Sequence, residues 1–121
     1  MNQPFFSILI LFWQSEPYLQ RCLQSLQAQT FQDFEVILLD NGASEPPDPA
    51  VLAILQKFLM KIIHSETNLG FAGGNNLAAK SASGEYLVLL NSDAFPEPDW
   101  LATLHQTALN HPGHCFASKL L

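Results

Sequence analysis

A chain of 121 residues, 48% apolar and 13% charged, is sized for one globular domain with an ordinary core. Its 11 acidic residues outnumber 5 basic ones, and the cations Arg21, Lys57, Lys61, Lys80 and Lys119 are scattered singly, which argues against nucleic acid or anionic membrane as the partner. The longest apolar runs, Ile8 to Trp13 and Tyr86 to Leu90, are far shorter than the roughly eighteen residues a membrane helix needs, and no cation precedes the first of them as in a secretory signal. A cytoplasmic chain without a membrane span is therefore expected, with a peripheral place at the inner membrane face as the alternative.

Phe6 to Leu11 is a continuous apolar run that suits a strand covered on both faces. A helix follows, with Ser15 as N-cap, Glu16 and Pro17 in its first turn, and an apolar stripe of Leu19, Cys22, Leu23 and Leu26. Phe34 to Leu39 reads as the second strand and stops at Asp40-Asn41-Gly42, where turn chemistry begins. A second helix is expected over about Ala50 to Leu59, and a short third strand over Lys61 to His64. Asn68 to Asn76 follows, with three glycines and three amide side chains, and reads as a loop built for close backbone approach; capping of the next helix by Gly73 or Asn75 is the plainer alternative. That helix is placed at about Gly74 to Ser81, with Gly84 at its C-terminal cap. Strand four is Tyr86 to Leu90, a fourth helix covers about Asp99 to Asn110, and Cys115 to Leu121 is expected to form a fifth strand. Cys22 and Cys115 are expected to be buried thiols, and the histidines at 64, 105, 111 and 114 form no motif.

The alternation β-α-β-α-β-α-β-α-β implies an α/β fold: a Rossmann-like open, mainly parallel sheet with helices on both faces. Ligands in such sheets bind beyond the carboxyl ends of the strands. The polar clusters Gln14 to Glu16, Asp40 to Ser44, Asn68 to Asn76 and Asn91 to Asp93 each follow a strand, so one rim is the expected site. Asp93 is a candidate ligand for a hard divalent cation, magnesium or manganese, or else an Asx turn leading into Pro96. Asp40 either caps its own turn or accepts hydrogen bonds from a base or a ribose. None of the four clusters holds Arg or Lys, so a diphosphate there would need backbone N–H groups and a metal. A dinucleotide fold is disfavoured because Phe12-Trp13-Gln14-Ser15 lacks glycine, and no P-loop or nucleophile elbow occurs.

Taken together, these clusters resemble the inverting nucleotide-sugar glycosyltransferases of family 2, which have the GT-A fold. Phe6 to Gln14 resembles the family's first strand and Pro-Thr-Tyr-Asn, although Leu11-Phe12-Trp13-Gln14 stands in that place here. Glu35 to Ser44 resembles Glu-x-x-Val-Val-Asp-Asn-Gly-Ser, Asn68 to Asn76 resembles Asn-x-Gly-Phe-Ala-x-Gly-x-Asn, and Gly84 to Asp93 resembles Gly-Glu-Tyr-x-x-x-Leu-Asn-Pro-Asp. The resemblance implies a three-layer GT-A nucleotide-binding half. Leu11, Phe12, Trp13, Gln14 and Asp40 would hold nucleobase and ribose, and Glu16 and Asn41 would join them in binding the nucleotide donor. Asn68, Gly70, Phe71, Gly74, Asn75, Asn76, Asn91 and Ser92 would line the donor pocket, and Asp93 would bind the metal. The donor would be a UDP-, dTDP- or GDP-linked sugar, and the wording of the glycine and Asp93 motifs resembles rhamnosyltransferase-type members. The resemblance also implies that the catalytic base lies C-terminal to this chain, which would then be the donor-binding portion. A non-catalytic nucleotide-sugar module is the alternative. A portion of this kind would leave a sheet edge uncovered and self-associate through it.

Overall fold

The computed structural model describes residues 3–13, 17–43 and 45–118. Apolar strands without alternation and amphipathic helices satisfy one another by layering. The elements are β1 (Phe6–Phe12), α1 (Pro17–Gln27), β2 (Phe34–Asn41), α2 (Pro49–Leu55), β3 (Leu59–Ser65), α3 (Gly70–Ala79), β4 (Tyr86–Leu89) and α4 (Trp100–Asn110). The sheet order is β3-β2-β1-β4, with every pairing parallel. This is the expected α/β, Rossmann-like sheet with helices on both faces.

Alternate residues of the central strands feed two cores. Phe6, Ile8, Ile10 and Phe12 of β1 and Phe34, Val36 and Leu38 of β2 meet Leu19, Cys22, Leu23 and Leu26 of α1, Val51, Ile54 and Leu55 of α2, and Leu101 of α4. Leu9, Ile37 and Leu39 point the other way, against Ala78 of α3. All eight residues of β2 are buried, which is why its sequence shows no polar alternation.

Several boundaries differ from expectation. β2 runs on through Asp40 and Asn41, so these residues belong to the strand's end rather than to the turn. α2 stops at Leu55, and Leu59 and Met60 enter β3 instead. α3 begins at Gly70, so the glycine-rich stretch is mostly helix, and Lys80 rather than Gly84 occupies its C-terminal cap. Gly84 serves a different purpose: a Cβ there would lie 2.6 Å from the Ser7 backbone nitrogen, so only glycine lets this turn press against β1. Residues 114–118 form no strand and Cys115 is exposed, contrary to the expected fifth strand and buried thiol. The N-cap expected at Ser15 lies outside the described residues.

Candidate donor-binding site

Order β3-β2-β1-β4 means that the chain leaves β1 in one direction and later returns to its other side, so the topological switch lies between β1 and β4. A crevice of about 200 Å³ opens there, lined by Leu11, Phe71, Asn75, Leu90, Asn91, Ser92 and Asp93. Leu11 comes from β1, Phe71 and Asn75 from the start of α3, and the others from the segment after β4. Two of the four polar clusters, Asn68–Asn76 and Asn91–Asp93, thus meet at one cavity together with Leu11 of β1.

The start of α3 is built by amide side chains. Asn41 Oδ1 accepts from the Leu69 backbone N–H at 2.9 Å, while its Nδ2 donates to Asn68 Oδ1 and to the Gly70 carbonyl, each at 3.2 Å. Asn68 Oδ1 also accepts from Gly70 N–H at 2.8 Å, closing an Asx turn, and Gly70 itself takes a positive φ of 75°. Asn41 and Asn68 therefore hold each other and the helix entry. Gly74 faces the sheet, where an added Cβ would lie 2.8 Å from Leu11 Cδ1 and 3.0 Å from Asn41 Nδ2. The missing side chain permits close helix–strand packing. Phe12 is likewise core, at 2% exposure. Asn76 is exposed outside the crevice lining, and Gln14 and Glu16 lie outside the described residues.

Among the described residues that line the crevice Asp93 is the charged one, and it is exposed. Its charge is also felt in α1: burial first, and the Asp93 charge second, push the Cys22 thiol up to about 12. Cys22 therefore stays protonated, with Sγ 3.6 Å from the Asn91 carbonyl it donates to. Among the described residues no group of three or more His, Cys, Asp or Glu side chains gathers to hold a metal. A single carboxylate suits a divalent cation whose remaining ligands are substrate phosphates and water.

Beside the crevice, the register aligns Phe12, Asp40 and His64 in one row across the ends of β1, β2 and β3. Asp40 is 6% exposed; its Oδ1 accepts from Ala43 N–H at 2.8 Å, and its Oδ2 is 2.8 Å from His64 Nδ1. Trp13, one residue past β1, is half-exposed. His64 is the rim residue that sequence reasoning missed; its signal was a polar side chain ending a strand directly beside Asp40. A second polar cluster, away from this rim, also escaped it. Glu35 in the first half of β2 accepts from Ser7 Oγ at 2.5 Å, Ser83 N–H at 2.7 Å and Ser83 Oγ at 2.9 Å.

Residues 7–119 match the family model described as glycosyl transferase family 2. The chain is similar to EpsH of Bacillus subtilis strain 168, with 32% identity over 109 residues covering 89% of this chain and 31% of that protein. The chain thus spans about a third of the length of that relative. The structure of S. aureus TarS 1-349 in complex with UDP-GlcNAc superposes with TM-score 0.75 at 25% identity, covering 94% of this chain and 37% of that one. The mannosyltransferase PcManGT of Pyrobaculum calidifontis, in complex with GDP-Man and Mn2+, shares the fold with TM-score 0.72 at 18% identity, over 88% of this chain and 33% of that chain. With the family model running across nearly the whole sheet, from the second residue of β1 past the end of α4, the chain belongs to glycosyl transferase family 2.

Proposed function

We propose that this chain supplies the donor site for transfer of a glycosyl group from a nucleotide-diphosphate sugar to an acceptor hydroxyl, in the synthesis of a polysaccharide or glycoconjugate. The observation that carries this reading is the crevice at the β1–β4 switch, where Leu11, Phe71, Asn75 and the Asn91–Asp93 segment converge although they are up to 82 positions apart in sequence (93 − 11). Family membership supports it, as does the UDP-GlcNAc complex of TarS, whose curated counterpart is named a poly(ribitol-phosphate) β-N-acetylglucosaminyltransferase. UDP, dTDP and GDP are the candidate carriers. The Asn68–Asn76 and Asn91–Asp93 wording favours a rhamnosyl-type donor.

In this reading Asp93 holds a magnesium or manganese ion against the diphosphate, whose charge the acidic crevice cannot neutralise by itself. The cation supplies charge neutralisation of the leaving diphosphate. Asn75 and Phe71 form the wall against α3, and the Asn41–Asn68 bonds keep that wall in place. An inverting transfer also needs a general base within hydrogen-bond reach of the attacking hydroxyl. Asp93, the carboxylate that the described residues bring to the crevice, would be committed to the cation, so the base is proposed to come from elsewhere in the enzyme. That same observation gives a second reading, a nucleotide-sugar binding module without transfer activity. The two differ in whether a full-length protein carrying this segment transfers or hydrolyses a nucleotide sugar.

A thermal-shift panel of UDP, dTDP and GDP, each with and without manganese, tests the site. At a hundredfold excess over the dissociation constant, the cognate diphosphate is expected to stabilise the fold by about 2.7 kcal/mol. Asp93→Ala is expected to abolish the manganese-dependent part. Absence of a shift with every diphosphate would overturn the reading, and a manganese effect that survives Asp93→Ala would overturn the role of Asp93.

A further inference from the structure

We infer that His64 is the base-reading residue of this site, its neutral imidazole presenting Nε2 as an acceptor that selects nucleobases carrying a ring N–H. The inference rests on the donor-nucleotide reading above and names which carriers that site would accept.

Asp40 is the evident acceptor at this end of the sheet, yet little of it can be reached. It is 6% exposed, and each of its oxygens already has a partner: Oδ1 the Ala43 backbone N–H, Oδ2 the His64 ring, both at 2.8 Å. His64 is the opposite case. Its side chain is 59% exposed against 9% for that of Asp40, and among the described residues Asp40 is its hydrogen-bond partner, at Nδ1. The atom a ligand can reach is therefore Nε2.

The Asp40 contact also sets the tautomer of the neutral ring. An ionised carboxylate accepts and does not donate, so the bond requires the proton on Nδ1. In the neutral imidazole the other nitrogen is then a bare lone pair, an acceptor. Uracil, thymine and guanine offer a ring N–H to such an atom. Cytosine and adenine offer a ring nitrogen lone pair at the corresponding edge, which repels it. The position suits a base as well: His64, the last residue but one of β3, lies in the same row as Asp40 and Phe12, and Trp13, just past β1, is half-exposed. An exposed indole is a stacking platform that does not distinguish bases, which leaves discrimination to the hydrogen-bonding atom.

A purely structural His64, there only to tie β3 to β2, would be indifferent to the base, and this separates the two roles. Calorimetric titration of the chain in manganese buffer should use UDP, dTDP, GDP, CDP, ADP and inorganic pyrophosphate. The wild type is expected to bind UDP, dTDP or GDP about tenfold more tightly than CDP and ADP, the worth of one hydrogen bond. His64→Phe keeps a ring and removes the acceptor, so it should bring both classes to one affinity while leaving pyrophosphate binding unchanged. His64→Gln, which retains an acceptor oxygen, should recover part of the preference. Nucleotide binding by the wild type without preference, or a preference that survives His64→Phe, overturns the inference and leaves the donor-site reading intact. Failure of the wild type to bind any of the diphosphates overturns that reading itself, and the inference with it.

Discussion

Glu35 is 1% exposed, and its burial is made tolerable by the groups around it. Burial pushes its carboxyl up, but hydrogen bonds from Ser7 and Ser83 and the charge of Lys61, 3.5 Å away, outweigh that and hold it below its ordinary value of 4.5. A lowered folded-state pKa means that the ionised network stabilises the fold fully above pH 4.5 and ceases to do so as pH falls through the folded value. Glu35→Gln is accordingly expected to cost about 2 kcal/mol at pH 7, with the gap to wild type narrowing in urea titrations at progressively lower pH. A gap that stayed constant with pH would refute this account. Gly84, whose N–H donates to Ser7 Oγ at 2.7 Å, belongs to the same cluster. Gly84→Ala would force a Cβ to 2.6 Å from backbone of β1, and the expected loss is about 1–3 kcal/mol in chemical denaturation. None of this was legible beforehand, because the partners of Glu35 lie 28 and 48 positions away in sequence. Read locally, Glu35 looks like the wet start of a strand and Gly84 like a helix cap.

At the scale of elements, the parallel sheet was legible because strands covered on both faces are apolar without alternation, and the α1 stripe because its period is helical. α3 was not. Its glycines argue against helix by propensity, but propensity yields to packing: Gly74 and Ala78 let the helix lie close to Leu11, Leu39 and their neighbours on the sheet. The division of α2 from β3 was hidden for another reason, since Phe58, Leu59 and Met60 continue an apolar run that fits either element. Because propensity alone does not hold α3, its entry depends on Asn41, the fixed point of three hydrogen bonds to the Asn68–Gly70 turn. Asn41→Ala leaves the Leu69 N–H without its acceptor and should cost about 2–3 kcal/mol, concentrated at this helix. Hydrogen exchange should accordingly speed up across residues 69–79 while the amides of β1 and β2 stay protected. Uniform acceleration throughout the sheet would instead place the loss in the global fold.

For the whole molecule, what matters is how much of the sheet its helices cover. α3 packs over β1 and β2, whereas β4 lies at the edge of the sheet and on that same face shows Leu87 at 49% and Leu89 at 51% exposure. β3 forms the other edge and exposes Leu59 at 63%. A parallel sheet ordinarily has both faces covered, and an edge strand with apolar side chains and free backbone groups is a template for pairing. Few charges oppose this on β4, whose four residues Tyr86–Leu89 include none. The chain as described here should therefore self-associate with rising concentration, in sedimentation velocity at tens to hundreds of micromolar. Leu87→Lys with Leu89→Lys places two cations on the uncovered face, far from the Asp40–His64 row, and should return the chain to monomer. A monomeric profile for the unsubstituted chain across that range would show that the β4 face tolerates water. Association undiminished in the double variant would move the contact to the β3 edge and Leu59, where Leu59→Lys is the corresponding test.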